Sequence, residues 1–252
     1  MSLAVQRSGR GPDLVLVHGW GLESGVWAPL LEPLGRQFRL HCIDLPGHGG
    51  SPLTGEFEFD AVVGALLEAA PAGAAWLGWS LGGMLALGAA LAAPERVDRL
   101  LLVASSPRFV ADADWPHAMQ PEVLAGFGRD LATERTATLR RFLSLVARGA
   151  PDAGVLRALR RRLVEAPAPV PAALAGGLAI LAGCDLRSAL TRLEVPLAAL
   201  FGGRDALVPA GVAGDLARLC PALRVQSLPA AGHAPFLSHP GEFVAAAAAL
   251  LA

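Results

Sequence analysis

The sequence contains no lysine: all 21 of its lysine-plus-arginine positions are arginine. A phosphate-gripping P-loop lysine, a kinase lysine and a Schiff-base lysine are therefore all excluded. Phosphoryl transfer by those designs and pyridoxal chemistry go with them. Cysteine is scarce as well. Cys42, Cys184 and Cys220 are odd in number, far apart, and in neither C-x-x-C nor metal-ligand spacing. No disulfide framework is expected, and a reducing compartment fits. There is no excess of charge, the net value being −1, so a nucleic-acid or polybasic membrane binder is not indicated. A membrane-spanning run is missing too. The strongest apolar stretch, Leu81 to Ala93, carries three glycines and stops at Pro94, too short to cross a bilayer. The first ten residues offer no apolar core for a signal peptide. A cytoplasmic protein is expected.

What is present is a chain of 252 residues, 53% apolar, enough for one large domain with an inserted piece. Short apolar runs end in glycine-rich or polar turns. Leu14–Val17 enters His18-Gly-Trp-Gly, Leu40–Asp44 enters Leu45-Pro-Gly-His-Gly, and Ala74–Leu77 enters Gly78-Trp-Ser-Leu-Gly82. Leu100–Ala104, Leu197–Gly202 and Val225–Leu228 behave alike. Alternation of such strands with helical segments predicts a mostly parallel sheet flanked by helices, with right-handed crossovers. Ligands in such sheets meet the loops at the carboxyl ends of the strands. The rhythm breaks over residues 109–189, where helices are predicted at 121–131, 134–147 and 153–165, with a turn at 166–173. That stretch reads as a helical lid, and 1–108 with 190–252 as the core. The alanine-rich tail from Phe243 predicts a terminal helix.

Gly78-Trp79-Ser80-Leu81-Gly82 matches the G-x-S-x-G nucleophile elbow, between a strand and a small-residue helix, as the α/β-hydrolase fold requires. A serine hydroxyl needs a base to take its proton, and the base needs an orienting carboxylate. Chain order in this fold is serine, acid, histidine. Asp205, in Gly-Gly-Arg-Asp-Ala-Leu-Val-Pro, and His233, in Ala-Gly-His-Ala-Pro-Phe, follow that order. Asp215 and Asp185 are alternatives for the acid, Asp215 being expected as a solvated helix residue. His239 is the late rival for the base. His18 is expected to stabilise its own loop by hydrogen bonds. An oxyanion needs preorganised N–H donors, expected from Leu81 and from Trp20, whose indole would line the acyl pocket.

Together these segments resemble the pimeloyl-[acyl-carrier protein] methyl ester esterase family of biotin synthesis. The resemblance runs nearly end to end. It includes Leu14–Leu22, Asp44-Leu-Pro-Gly-His-Gly, Trp76–Gly83, Val103–Pro107, Trp115-Pro116, Arg141-Phe-Leu143, Gly176-Gly-Leu178 and His233–Pro240. It implies Ser80, Asp205 and His233 as a catalytic triad and Trp20 and Leu81 as the oxyanion site. It also implies Phe142, Leu143, Ser144, Leu145 and Val146 along the acyl chain. No metal or cofactor is implied. The implied partner is an acyl-carrier protein held by lid arginines, with Arg141 and Arg157 at matching positions. Ala137 stands where the family has an arginine, and another between the two lid helices is missing, so Arg140, Arg160 and Arg161 would have to compensate. A monomer is expected. Charge agrees independently: 134–165 holds eight arginines against Glu134, Asp152 and Glu165, a net of +5 that leaves −6 for the rest. Arg157, Arg160 and Arg161 share one face if helical. The alternatives are an esterase or lactonase for small metabolites, without a carrier protein, and a non-catalytic binding module on the same scaffold.

Overall fold

The computed structural model describes residues 2–252. In chain order the elements are β1 (Val5–Gly9), β2 (Asp13–Val17), α1 (Ala28–Gly35), β3 (Arg39–Ile43), α2 (Phe59–Ala69), β4 (Ala74–Trp79), α3 (Leu81–Ala92) and β5 (Val97–Val103). There follow α4 (Pro121–Thr133), α5 (Arg135–Val146), α6 (Gly154–Glu165), α7 (Pro171–Gly183) and α8 (Arg187–Leu190). The chain closes with β6 (Leu197–Gly202), α9 (Gly211–Leu219), β7 (Arg224–Leu228), α10 (Pro235–Ser238) and α11 (Pro240–Leu251).

The strands form one sheet in the order β1-β3-β2-β4-β5-β6-β7. Strand β1 runs antiparallel to β3, and every other neighbouring pair is parallel. Strands β4 (AAWLGW) and β6 (LAALFG) are buried along their whole length, as strands covered by helices on both faces must be. The two edges, VQRSG and RVQSL, are polar and largely exposed, which discourages pairing with a further chain. The six apolar runs of the sequence coincide with β2 to β7. Strand β1 is an addition, because Gln6, Arg7 and Ser8 give it no apolar signature.

The segment between β5 and β6 carries α4 to α8 and no strand. Its ends are tied together: Arg108 Nη1 donates to Asp185 Oδ2 at 2.7 Å, and the Leu186 N–H to the Pro107 carbonyl at 2.9 Å. Helix α7 starts within the expected 166–173 turn. Pro171 occupies its first turn, where a residue lacking an N–H and fixed in φ initiates a helix without loss. The expected tail helix is α11, buried through Phe243, Ala247 and Leu251. Among the described residues no helix is long and apolar enough to cross a membrane.

Candidate active site

Strand β4 ends at Trp79 and α3 begins at Leu81, so Ser80 alone reverses the chain, at φ 56° and ψ −121°. That conformation costs a non-glycine residue about 1–3 kcal/mol and persists only when its surroundings over-determine it. They do. The Ser80 N–H donates to the Val103 carbonyl at 3.0 Å, and the Ser105 hydroxyl donates to the Ser80 carbonyl at 2.7 Å. The flanking glycines are demanded by proximity. A Cβ on Gly78 would lie 2.6 Å from the Gly83 Cα, and one on Gly82 would lie 2.7 Å from the Val17 carbonyl carbon.

Asp205 follows β6 and His233 follows β7, at the same end of the sheet. His233 Nδ1 lies 2.8 Å from Asp205 Oδ2, and both side chains are fully buried. The other carboxylate oxygen accepts the N–H groups of Leu207 (2.7 Å) and Val208 (3.0 Å). A carboxylate so held can only accept, so Nδ1 carries the hydrogen and Nε2 presents its lone pair. Buried Nε2 has no partner among the described residues, an arrangement that costs about 1–3 kcal/mol unless a further group completes it. The residue beside the elbow serine ties down the histidine's backbone: the Trp79 indole N–H donates to the His233 carbonyl at 2.8 Å.

The loop after β2 lies against the elbow, since a Cβ on Gly19 would sit 3.3 Å from the Ser80 Cβ. His18 braces it. Its Nδ1 donates to the Gly19 carbonyl and its Nε2 accepts the Leu45 N–H, both at 2.9 Å. That pairing requires a neutral ring, and burial pushes its pKa below the ordinary histidine value. His48 lies against it, the rings tilted by 57° with centroids 5.4 Å apart. Burial, then its histidine neighbour, brings the His48 pKa down to about 3. The backbone N–H groups of Trp20 and Leu81 donate to no acceptor among the described residues, which leaves both available to a developing oxyanion. The Trp20 indole donates to the Leu174 carbonyl of α7 at 2.8 Å and meets Phe142 of α5 edge-on, centroids 4.8 Å apart.

Of the five residues from 142 to 146, Phe142, Leu143 and Val146 point inward and Leu145 is half-buried. Ser144 is exposed, its hydroxyl donating back to the Arg140 carbonyl at 2.9 Å. Five consecutive helical residues cannot all face one side. Arg140, Arg141, Arg157, Arg160 and Arg161 are all exposed. Arg141 pairs with Asp130 at 2.5 Å and Arg161 lies 3.7 Å from Glu165. Arg140, Arg157 and Arg160 make no ion pair with a described residue.

The alternatives fall on geometry. The His239 ring bonds its neighbour Ser238 at 2.8 Å and pairs with no carboxylate among the described residues. Asp185 is committed to Arg108 and Arg187, the guanidinium of Arg187 holding its carboxyl well below the usual range. Asp215 is not the solvated residue expected. It is 2% exposed, clasped by Arg218 and by His117 Nδ1 at 2.9 Å, because α9 turns it toward the segment after β5. Residues the sequence did not single out also matter. Ser105 is one of two adjacent serines after β5, and Arg162 is one of a run of arginines, so neither stands out in the sequence.

A family model described as alpha/beta hydrolase fold matches residues 12–240. A pimeloyl-[acyl-carrier protein] methyl ester esterase of Aliivibrio salmonicida (strain LFI1238) is 45% identical over 244 residues, covering 96% of this chain and 93% of that protein. One of the same name from Stenotrophomonas maltophilia (strain K279a) is 48% identical over 241 residues, covering 95% and 92%. Among solved structures, an esterase from Exiguobacterium antarcticum superposes with a TM-score of 0.86 at 20% identity, covering 99% of this chain and 95% of that one. This last likeness is one of fold.

Proposed function

Because the chain belongs to the α/β-hydrolase fold family, and within it to the pimeloyl-[acyl-carrier protein] methyl ester esterases, we propose that it is a serine carboxylesterase of biotin synthesis. It removes the methyl ester from a pimeloyl chain carried on acyl-carrier protein. The observation that carries the chemistry is the His233–Asp205 pair with its buried, unpartnered Nε2, linked through Trp79 to a serine held in a strained turn. His233 Nε2 takes the Ser80 hydroxyl proton as Oγ attacks the ester carbonyl, whose oxygen becomes the anion bound by the Trp20 and Leu81 N–H groups. Collapse breaks the bond to methoxide, and His233 returns the proton to release methanol. A water deprotonated by the same nitrogen then cleaves the acyl-serine and frees the carboxylate. Asp205 keeps the imidazole in the required tautomer and stabilises the imidazolium.

Residues 109–189 act as a lid over this site in the same proposal. Phe142, Leu143 and Val146 supply its apolar lining, and the unpaired Arg140, Arg157 and Arg160 offer anion contacts to the acidic carrier and the phosphate of its arm. The free thiols of Cys42, Cys184 and Cys220 suit a reducing, cytoplasmic setting.

The deciding experiment compares hydrolysis of pimeloyl-carrier methyl ester and of short p-nitrophenyl esters. The proteins are wild type, Ser80→Ala, and the pair Arg157→Glu/Arg160→Glu. Strong preference for the carrier ester, an inert Ser80→Ala, and a charge reversal that harms only the carrier substrate are expected. Turnover of short esters without the carrier ester would retain the hydrolase and sink its substrate.

A further inference from the structure

Arg162 differs from its neighbours on α6. Its Nε and Nη2 donate to Glu23 Oε1 at 2.7 and 2.6 Å, while Glu23 Oε2 accepts the Gly25 N–H at 2.6 Å. The side chains are only 27% and 11% exposed. The seat is close-fitting, since a Cβ on Gly25 would lie 2.6 Å from the guanidinium carbon. Glu23 closes the loop that carries Trp20, and Arg162 belongs to the helix that presents Arg157, Arg160 and Arg161. The ion pair therefore joins the two.

The seam that it bridges is flanked by two small openings. One flank holds a crevice of about 80 Å³ lined by Val26, Pro29, Ala158, Leu159, Arg161 and Leu237. The other flank holds a gap of about 10 Å³ beside Leu22, Gly49 and Leu163. Helix α6 also buries Val155 and Leu159, so the ion pair adds a polar tie to an apolar contact. Ser80 is 2% exposed and His233 0%, so an ester reaches the elbow only when something above it moves.

Resting on the proposed esterase activity, we propose that the Glu23–Arg162 ion pair is a specificity determinant of that reaction. It latches α6 beside the oxyanion loop against free small esters. An acidic partner on Arg157, Arg160 and Arg161 competes for Arg162 and opens the seam for its own ester. Arg162, whose Nη1 also lies 3.3 Å from Glu165 Oε2, exchanges Glu23 for another anion, so its charge stays paired throughout. Glu23 keeps the Gly25 N–H, and its freed oxygen turns to water in the opened crevice.

The test uses Glu23→Gln and Arg162→Gln beside wild type, with p-nitrophenyl butyrate, a fluorophosphonate serine probe and the carrier-bound methyl ester. For Glu23→Gln we expect kcat/KM on the small ester and the probe labelling rate to rise about fivefold, equivalent to about 1 kcal/mol. The carrier ester should change by less than about twofold on the same scale. Salt gives a readout that a merely structural pair would not move. The wild-type rate on the neutral small ester should rise with sodium chloride as the pair is screened, and both Gln variants should lack that response. Small-ester and labelling rates that stay level or fall in both variants overturn the latch, as do equal losses on both substrates. A wild type that handles short esters and ignores the carrier ester defeats the proposed substrate instead.

Discussion

Gly177→Ala puts a methyl group where the structure has a measurable deficit of room. The new carbon would lie 2.6 Å from Trp20 Cδ1, 3.1 Å from its Nε1 and 3.2 Å from Leu81 Cδ2. Ordinary carbon contacts need about 3.5–4.0 Å, so the indole must retreat by roughly 1 Å. It cannot slide freely, being tied to the Leu174 carbonyl at 2.8 Å and set edge-on to Phe142. Overpacking of this kind costs about 1–3 kcal/mol, whereas alanine in place of glycine inside a helix returns about 1 kcal/mol. The net loss is then about 0–2 kcal/mol, a fall in Tm of at most about 8 °C for a chain of this size. Catalysis should suffer far more. A displacement of about 1 Å at a positioned group can cost about 10²-fold, and the Trp20 N–H is one of two oxyanion donors in the proposed mechanism. The assay is kcat and KM on a short p-nitrophenyl ester beside a thermal melt. A variant that melts within a few degrees of wild type but loses kcat by one to two orders of magnitude is expected. Unchanged kcat with a lowered Tm would refute the coupling of indole to oxyanion site.

Asp205→Asn should fold normally and lose about 10³–10⁴ in kcat. The new amide must keep its oxygen toward the Leu207 and Val208 N–H groups, turning its NH₂ on His233 Nδ1 and forcing the proton onto Nε2. Activity within tenfold of wild type on a short ester would contradict that tautomer argument. Trp79→Phe removes the donor to the His233 carbonyl and should lower kcat about tenfold with a stability loss of about 1–2 kcal/mol, read in the same two assays. Acid should destabilise the protein earlier than carboxylates alone require. His18 and His48 have folded pKa values below 6.5, about 3 for His48, so the stability they contribute is whole above pH 6.5 and fades as pH falls toward those values. A urea midpoint that declines from pH 6.5 to 5, and declines less in His48→Phe, is expected; a flat profile across that window would count against neutral buried rings.

The candidate site was legible in the sequence because each part of it is local. A strand, a glycine-flanked serine and a small-residue helix are contiguous, and the positions of Asp205 and His233 follow from strand ends in chain order. What stayed hidden is pairing across the chain. Glu23 and Arg162 are 139 residues apart, and four arginines among 157–162 look alike until one is found folded inward. Asp215 reads as a solvated charge on an amphipathic helix, and only the approach of His117 from the segment after β5 makes it buried. Strand β1 escaped for another reason. Its polar residues suit an exposed sheet edge, and periodicity cannot separate such an edge from a loop.

The same division bears on what sets the substrate. A solved esterase of 20% identity shares this backbone at a TM-score of 0.86, so the sheet, elbow and strand-end loops are a general platform whose chemistry does not name its ester. Selectivity must come from what α4 to α7 add, and they reach the reacting centre at few points. Phe142 and Leu174 hold the Trp20 indole, and Arg162 holds Glu23 just beyond the same loop. Both ties converge on residues 20–23, while the turn between α5 and α6 packs beside the acid and the base: a Cβ on Gly232 would run into the Arg148 carbonyl oxygen, and one on Gly149 into that of Arg204. If this segment is to govern which ester reacts, it can do so through access, through the oxyanion donor and through the turn packed beside Arg204 and Gly232. Mutations at these ties should therefore change the ratio of rates between substrates, and mutations at Asp205 should lower all rates in common.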